Sequence, residues 1–189
     1  MTKTKTSSFK KGNRCRICTG CGRCFGTKPM DAVSEFHGGL WTKSGDGADG
    51  KKEYLIAADI GTTTIAMQLR RLCDGRVADT YTCINPQRNF GADVLSRIEA
   101  AEQPEAKAAM QEAVLDVMQK GVEKFTAVEK KICGLAIAAN TTMVHLLMGL
   151  DVSGLGKYPF LPQTLSEIRT KLLGLDAVVL PGISTFVGA

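Results

Sequence analysis

No run of about 18 apolar residues, the length a membrane-spanning helix needs, occurs anywhere in the 189 residues. The N-terminus has no apolar segment behind its basic residues, so no secretory leader is read there. Histidine is scarce: His37 and His145 are the only two, far apart, and neither is assigned to a metal. Acidic residues are missing from 1–28, which hold eight Lys/Arg. Removing those eight from the total of 24 leaves 16 basic against 19 acidic residues, a net of −3. The formal charge of +5 therefore belongs to the N-terminal tail alone. It reads as a solvated tail that offsets the negative charge of a thiolate cluster, or as a docking segment for an acidic redox partner, with nucleic acid the weaker reading.

What is present begins with cysteine. Seven is an odd number, and four of the seven crowd into ten residues, at Cys15, Cys18, Cys21 and Cys24. Disulfide scaffolds are not spaced so tightly, whereas metal centres are. A reducing, cytoplasmic setting follows. The bacterial ferredoxin run is C-x2-C-x2-C-x3-C-P. Cys18, Cys21 and Cys24 fit it, and Pro29 stands where its proline belongs, but Lys28 replaces the fourth cysteine. Cys15 is the nearest substitute. One [4Fe–4S] cluster on Cys15, Cys18, Cys21 and Cys24 is the favoured expectation, with [2Fe–2S] and zinc as alternatives. Structural zinc usually separates its two C-x2-C knuckles by longer intervals. Cys73, Cys83 and Cys133 lie in or beside expected strands and read as small buried hydrophobes.

The organisation expected is a disordered polar tail at 1–12, a Cys-rich unit at 13–36, a linker rich in Gly, Asp and Ser at 37–52, and a folded domain at 53–189. Strands are predicted at 54–58, 65–69 and 77–84, with Asp74-Gly75 as a hairpin signal, so the three form an antiparallel meander. A short helix is predicted at 92–101. A longer one starts at Pro104 and carries Met110, Val114, Val117, Met118, Val122 and Phe125 at helical spacing. A buried strand at 132–138, a helix opened by Asn140 and closed by Gly149, and a last strand at 178–180 complete an α/β domain.

The turn at 59–64, Asp-Ile-Gly-Thr-Thr-Thr, joins two strands. Gly61 permits close backbone approach, and the N–H and hydroxyl groups of Thr62, Thr63 and Thr64 can surround an anion. Asp59 at the strand end can hold Mg²⁺ through water. An ordinary hairpin turn is the plain alternative. It is not a P-loop, because GK[ST] is absent and a strand follows.

This turn resembles the first phosphate loop of the acetate kinase/sugar kinase/Hsp70/actin superfamily. NPQRNFGADVLSRI at 85–98, ANTTM at 139–143, the stretches at 149–151 and 159–162, and LPGIS through FVGA at 180–189 together resemble the reductive activators of corrinoid-dependent methyltransferases. The resemblance covers roughly residues 53–189. It implies a ribonuclease H-like first lobe of an ATPase, with Asp59 organising Mg²⁺-bound water, Gly61 and Thr62 to Thr64 cradling phosphate, and Asn140 and Thr141 facing the γ-phosphate. Asn140 reads equally as a helix N-cap. It also implies ATP-coupled delivery of an electron from a low-potential donor, through the cluster, to a corrinoid protein or other redox acceptor. Two features depart from the familiar activators: their electron-entry domain is of the plant-type [2Fe–2S] kind, and this chain stops at Ala189, before a second phosphate loop and second lobe would be expected. The chain alone is expected to lack ATPase activity. An activator of the 2-hydroxyacyl-CoA dehydratase type and a non-hydrolysing iron–sulfur carrier are the competing readings.

Overall fold

A computed structural model of the chain describes residues 52–127 and 131–182. The expected tail, the Cys-rich unit with Cys15, Cys18, Cys21 and Cys24, and the linker up to residue 51 lie outside the described residues.

The fold starts with three eight-residue strands, β1 (Glu53–Ile60), β2 (Thr64–Arg71) and β3 (Val77–Ile84). They pair antiparallel in the expected meander, with Asp59 opposite Ala66 and Ile65 opposite Cys83. Along β2, Ile65, Met67 and Leu69 are buried while their neighbours are not, the period of two that the sequence shows. The β2–β3 hairpin closes where Asp74 accepts from the Arg71 guanidinium and from the Arg76 main-chain N–H. The Arg71 hydrogen bond, helped by that Arg76 N–H, lowers the Asp74 carboxyl to about 2.

A 3₁₀ turn at Pro86–Asn89 leads to helix α1 (Val94–Ala100), opened by an Asp93/Ser96 capping box. Helix α2 (Pro104–Thr126) starts at the expected proline. It lies over β2 and β3, burying Met110, Val114, Met118, Val122 and Phe125, with Val117 half-buried at the edge of the same seam. Strand β4 (Lys131–Ala139) then pairs parallel with β1, and helix α3 (Thr141–Leu147) follows at once. The last two strands are β5 (Ile168–Leu172) and β6 (Leu175–Val179). The six-stranded sheet runs β3-β2-β1-β4-β6-β5, with β6 parallel to β4 and β5 antiparallel to β6. This is the mixed α/β architecture expected. Among the described residues no helix is long and apolar enough to cross a membrane.

Two local expectations are corrected, for the last strand and for the cysteines, and the segment after β3 adds a turn of its own. The last strand is β6 at Leu175–Val179, and it forms a hairpin with β5, which the sequence did not suggest. Its tight turn sets Leu173 at φ 54° and Gly174 at φ 75°, and a leucine in the left-handed region hides the turn from composition. The segment after β3 folds as a 3₁₀ turn, held by Asn85. Cys73 is exposed in the β2–β3 loop, because the preceding Leu72 takes the buried position there; Cys83 and Cys133 are half-buried.

Candidate functional site

The ends of β1 and β4 lie level in the sheet, with Asp59 beside Ala138 and Ile60 beside Ala139. Parallel pairing therefore delivers the 61–63 turn and the start of α3 to the same edge. There Asn140 Nδ2 donates to Thr62 Oγ1 at 3.2 Å. Asn140 is also the N-cap of α3, its Oδ1 accepting from Met143 N at 2.9 Å. The two readings of this residue thus coexist: the oxygen caps the helix and the amide nitrogen reaches the turn.

The turn itself is open. Gly61 N–H donates to Thr64 O at 2.9 Å, and a Cβ on residue 61 would stand 2.9 Å from that same oxygen, so the position is fitted to glycine. Among the described residues, the main-chain N–H groups of Thr62 and Thr63 have no acceptor. Thr63 and Thr64 are exposed and Thr62 is half-buried. Asp59 is exposed, and its carboxylate has no hydrogen-bond or ion-pair partner among the described residues. Free N–H groups, hydroxyls and a hard carboxylate are a donor set suited to a phosphate with a hydrated divalent cation. Thr141 is set deeper: it is buried, its carbonyl accepts from His145, and its hydroxyl lies beside Gly182.

Behind the turn lies a polar cluster that composition and spacing did not reveal. Asn85, Gln87, Arg97, Thr142 and His145 are all essentially buried. Asn85 bonds the turn, Gln87 and the Met143 sulfur. Gln87 Nε2 reaches Met110 O at 3.3 Å, while Gln87 Oε1 and Thr142 Oγ1 have no partner among the described residues. Arg97 donates from Nε to Gly91 O at 2.9 Å and from Nη1 to Met143 Sδ at 3.6 Å. Burial pulls the Arg97 guanidinium below its ordinary value, against the nearby Asp93. His145 Nε2 accepts from Gln163 N–H at 3.1 Å, and its other ring nitrogen lies 2.7 Å from Thr141 O. An amide can only donate and a carbonyl can only accept, so the ring is neutral with its proton on Nδ1. The sequence signal for this cluster was the 85–98 stretch, which points to a family rather than to contacts.

Residues 54–189 match the family model of the RACo middle region. The chain belongs to the RACo family. It is 32% identical over 154 residues to the corrinoid activation enzyme RamQ of Eubacterium limosum, an overlap of 74% of this chain and 26% of RamQ. A solved structure described as a reductive activator for corrinoid, iron-sulfur protein superposes with a TM-score of 0.66 at 31% identity, over 79% of this chain and 26% of the other. The family is the one expected from the segments at 85–98, 139–143 and beyond. This RACo-family chain spans about a quarter of the length of the relatives it matches. Among the described residues no three His, Cys, Asp or Glu side chains are grouped as a metal site.

Proposed function

We propose that this chain forms the phosphate-gripping lobe of an ATP-dependent, iron–sulfur reductive activator that returns an inactive Co(II) corrinoid protein to Co(I). The observation that carries it is the meeting of Asn140 with Thr62 beside Asp59, in a turn where, among the described residues, the Asp59 carboxylate and the Thr62 and Thr63 N–H groups have no partner. Family membership supports the corrinoid part, since the matched relatives are named for corrinoid activation. The sheet order supports a ribonuclease H-like lobe: three antiparallel strands, then β4 and β6 running parallel to β1.

In this reading the Thr62, Thr63 and Thr64 groups bind phosphate oxygens, and Asp59 accepts hydrogen bonds from the water shell of Mg²⁺. Asn140 orients the attacking water, and Thr141 steadies the start of α3 behind it. Hydrolysis of ATP to ADP and phosphate supplies the free energy for an uphill one-electron reduction. Cys15, Cys18, Cys21 and Cys24 would hold a [4Fe–4S] cluster, which relays single electrons from a low-potential donor. A second lobe would supply the adenosine pocket, and the setting would be the cytoplasm.

The test is reduction of a Co(II) corrinoid protein by the full-length protein with a low-potential electron donor, followed by the Co(I) absorbance. ATP should be required, and Asp59→Ala should slow the ATP-dependent rate by about a hundredfold. Reduction at the same rate without ATP, and unchanged in Asp59→Ala, would sink the proposal.

A further inference from the structure

The Thr62 N–H is offered outward because something else holds the carbonyl of its own peptide, and a second carbonyl of the 61–63 turn is held in the same way. Gly61 O accepts from Asn85 Nδ2 at 2.8 Å, and Thr63 O accepts from the Asn85 main-chain N–H at 2.8 Å. A trans peptide sets its C=O and N–H on opposite sides. Drawing these two carbonyls toward Asn85 therefore turns the amides of Thr62 and Thr64 away from it. An ordinary tight hairpin would instead close Thr64 N–H onto Gly61 O, and that bond is absent here.

Asn85 is itself held rigidly. Its Oδ1 accepts from Gln87 N at 2.9 Å, and Nδ2 also points at Met143 Sδ, 3.7 Å away. Met143 is the residue whose N–H Asn140 caps, and its sulfur also receives Arg97 Nη1. The side chain is fully buried with every polar group engaged. One residue thus connects the turn, the 3₁₀ segment after β3 and the first turn of α3. Being fully buried, its side chain is out of reach of a ligand bound at the exposed turn.

We infer that Asn85 is a positioning residue that keeps the 61–63 turn in its anion-receptive conformation and in register with Asn140. The inference rests on the phosphate-binding reading given above. A carboxylate is nearly the same shape as the carboxamide and keeps the bond to Gln87 N, but it cannot donate to Gly61 O and repels it. Protonation restores one donor, and burial favours the protonated form. The substitution therefore carries its own pH-dependent rescue, which a purely structural defect does not show.

The experiment measures binding of Mg·ATP and of Mg·pyrophosphate to the full-length protein by calorimetry. Wild type, Asn85→Asp and the core variant Val114→Ala are compared at about pH 8 and about pH 5.5, a span chosen to cover a raised carboxyl pKa. Asn85→Asp should bind about tenfold more weakly than wild type at the higher pH, as expected when a buried carbonyl loses its donor. The gap should narrow at the lower pH. Val114→Ala should lose stability yet stay within about twofold of wild type in binding. If Asn85→Asp does not fold, Asn85→Ala should show the same weakening without recovery at low pH. Binding by Asn85→Asp within about twofold of Val114→Ala, or a gap indifferent to pH, overturns the inference and leaves the phosphate-binding reading standing. Wild type binding pyrophosphate but not Mg·ATP refutes the nucleotide reading, while a weaker pyrophosphate affinity in Asn85→Asp still supports the role of Asn85. Wild type binding neither probe overturns both.

Discussion

At the residue scale, the buried polar side chains do more to shape the site than its exposed ones. His145 is the clearest case for measurement. Burial is the main cause holding its pKa below the ordinary 6.5, with the Thr141 carbonyl and Asp151 opposing. Protonation would set a charged N–H against the Gln163 N–H it now accepts from. The unfolded chain, with its higher histidine pKa, takes up the proton first as pH falls. The His145 contribution is therefore complete above about 6.5 and is lost as pH drops through the window below it. Denaturant unfolding at stepped pH should show a slope of at most one proton, about 1.4 kcal/mol per pH unit. His145→Gln should remove that slope, and an unchanged profile in the variant would show that the ring does not titrate between the two states. Asn140 was legible as a helix start because Asn ahead of an apolar run is a capping signal. Its bond to Thr62 was not, because the two are far apart in sequence and meet only through strand pairing.

At the element scale, α2 is the best-read part of the chain and also holds a close glycine contact. The apolar seam from Met110 to Phe125 repeats at helical spacing, so its existence and buried face were plain. Gly121 on that seam lies over β2 and β3: a Cβ there would stand 2.6 Å from Met67 Sδ and 2.9 Å from the Tyr81 ring. Alanine gains about 1 kcal/mol of helix propensity over glycine. Forcing a methyl into packed surroundings costs about 1–3 kcal/mol. Met67 is fully buried and has little room to yield, so the packing cost wins. Gly121→Ala should lower stability by about 1 kcal/mol in denaturant titration. A gain in stability would mean that the sheet yields more readily than close packing implies. The β5–β6 hairpin was missed for the opposite reason. IRTKL carries two charges and little apolar pattern, and Leu173 takes a backbone conformation that its side chain disfavours.

At the scale of the whole molecule, the expected electron-entry unit stands on sequence alone, since Cys15, Cys18, Cys21 and Cys24 lie outside the described residues. Anaerobic reconstitution should load about four irons per chain and give a broad visible absorbance from thiolate-bound iron. Cys18→Ser, Cys21→Ser or Cys24→Ser should abolish it, and Cys15→Ser tests the displaced fourth ligand separately. A stoichiometric, colourless zinc ion would refute the cluster. In the proposed reading the 61–63 turn and the α3 N-cap would meet the phosphates from one side, while phosphoryl transfer relies on charge stabilisation from both sides. The matched relatives are nearly four times as long as the shared region, each being covered to 26%.

Several things were determined by the order of residues alone. Alternation defined β2 and helical spacing α2, because burial on one face imposes those repeats on any chain, while short apolar runs marked the buried strands β1 and β4. The family was legible from the 85–98 and 139–143 stretches, and the turn between β1 and β2 from Asp59, Gly61 and the three threonines. Only the tertiary structure decided which groups face one another. Parallel pairing of β4 with β1 brings Asn140 to Thr62, 78 positions away. The same fold buries Asn85 where it can take the carbonyls of the turn, 24 positions away in the case of Gly61. Such bonds leave no periodic trace, since a single side chain satisfies a single backbone group and the distance between them is set by the sheet.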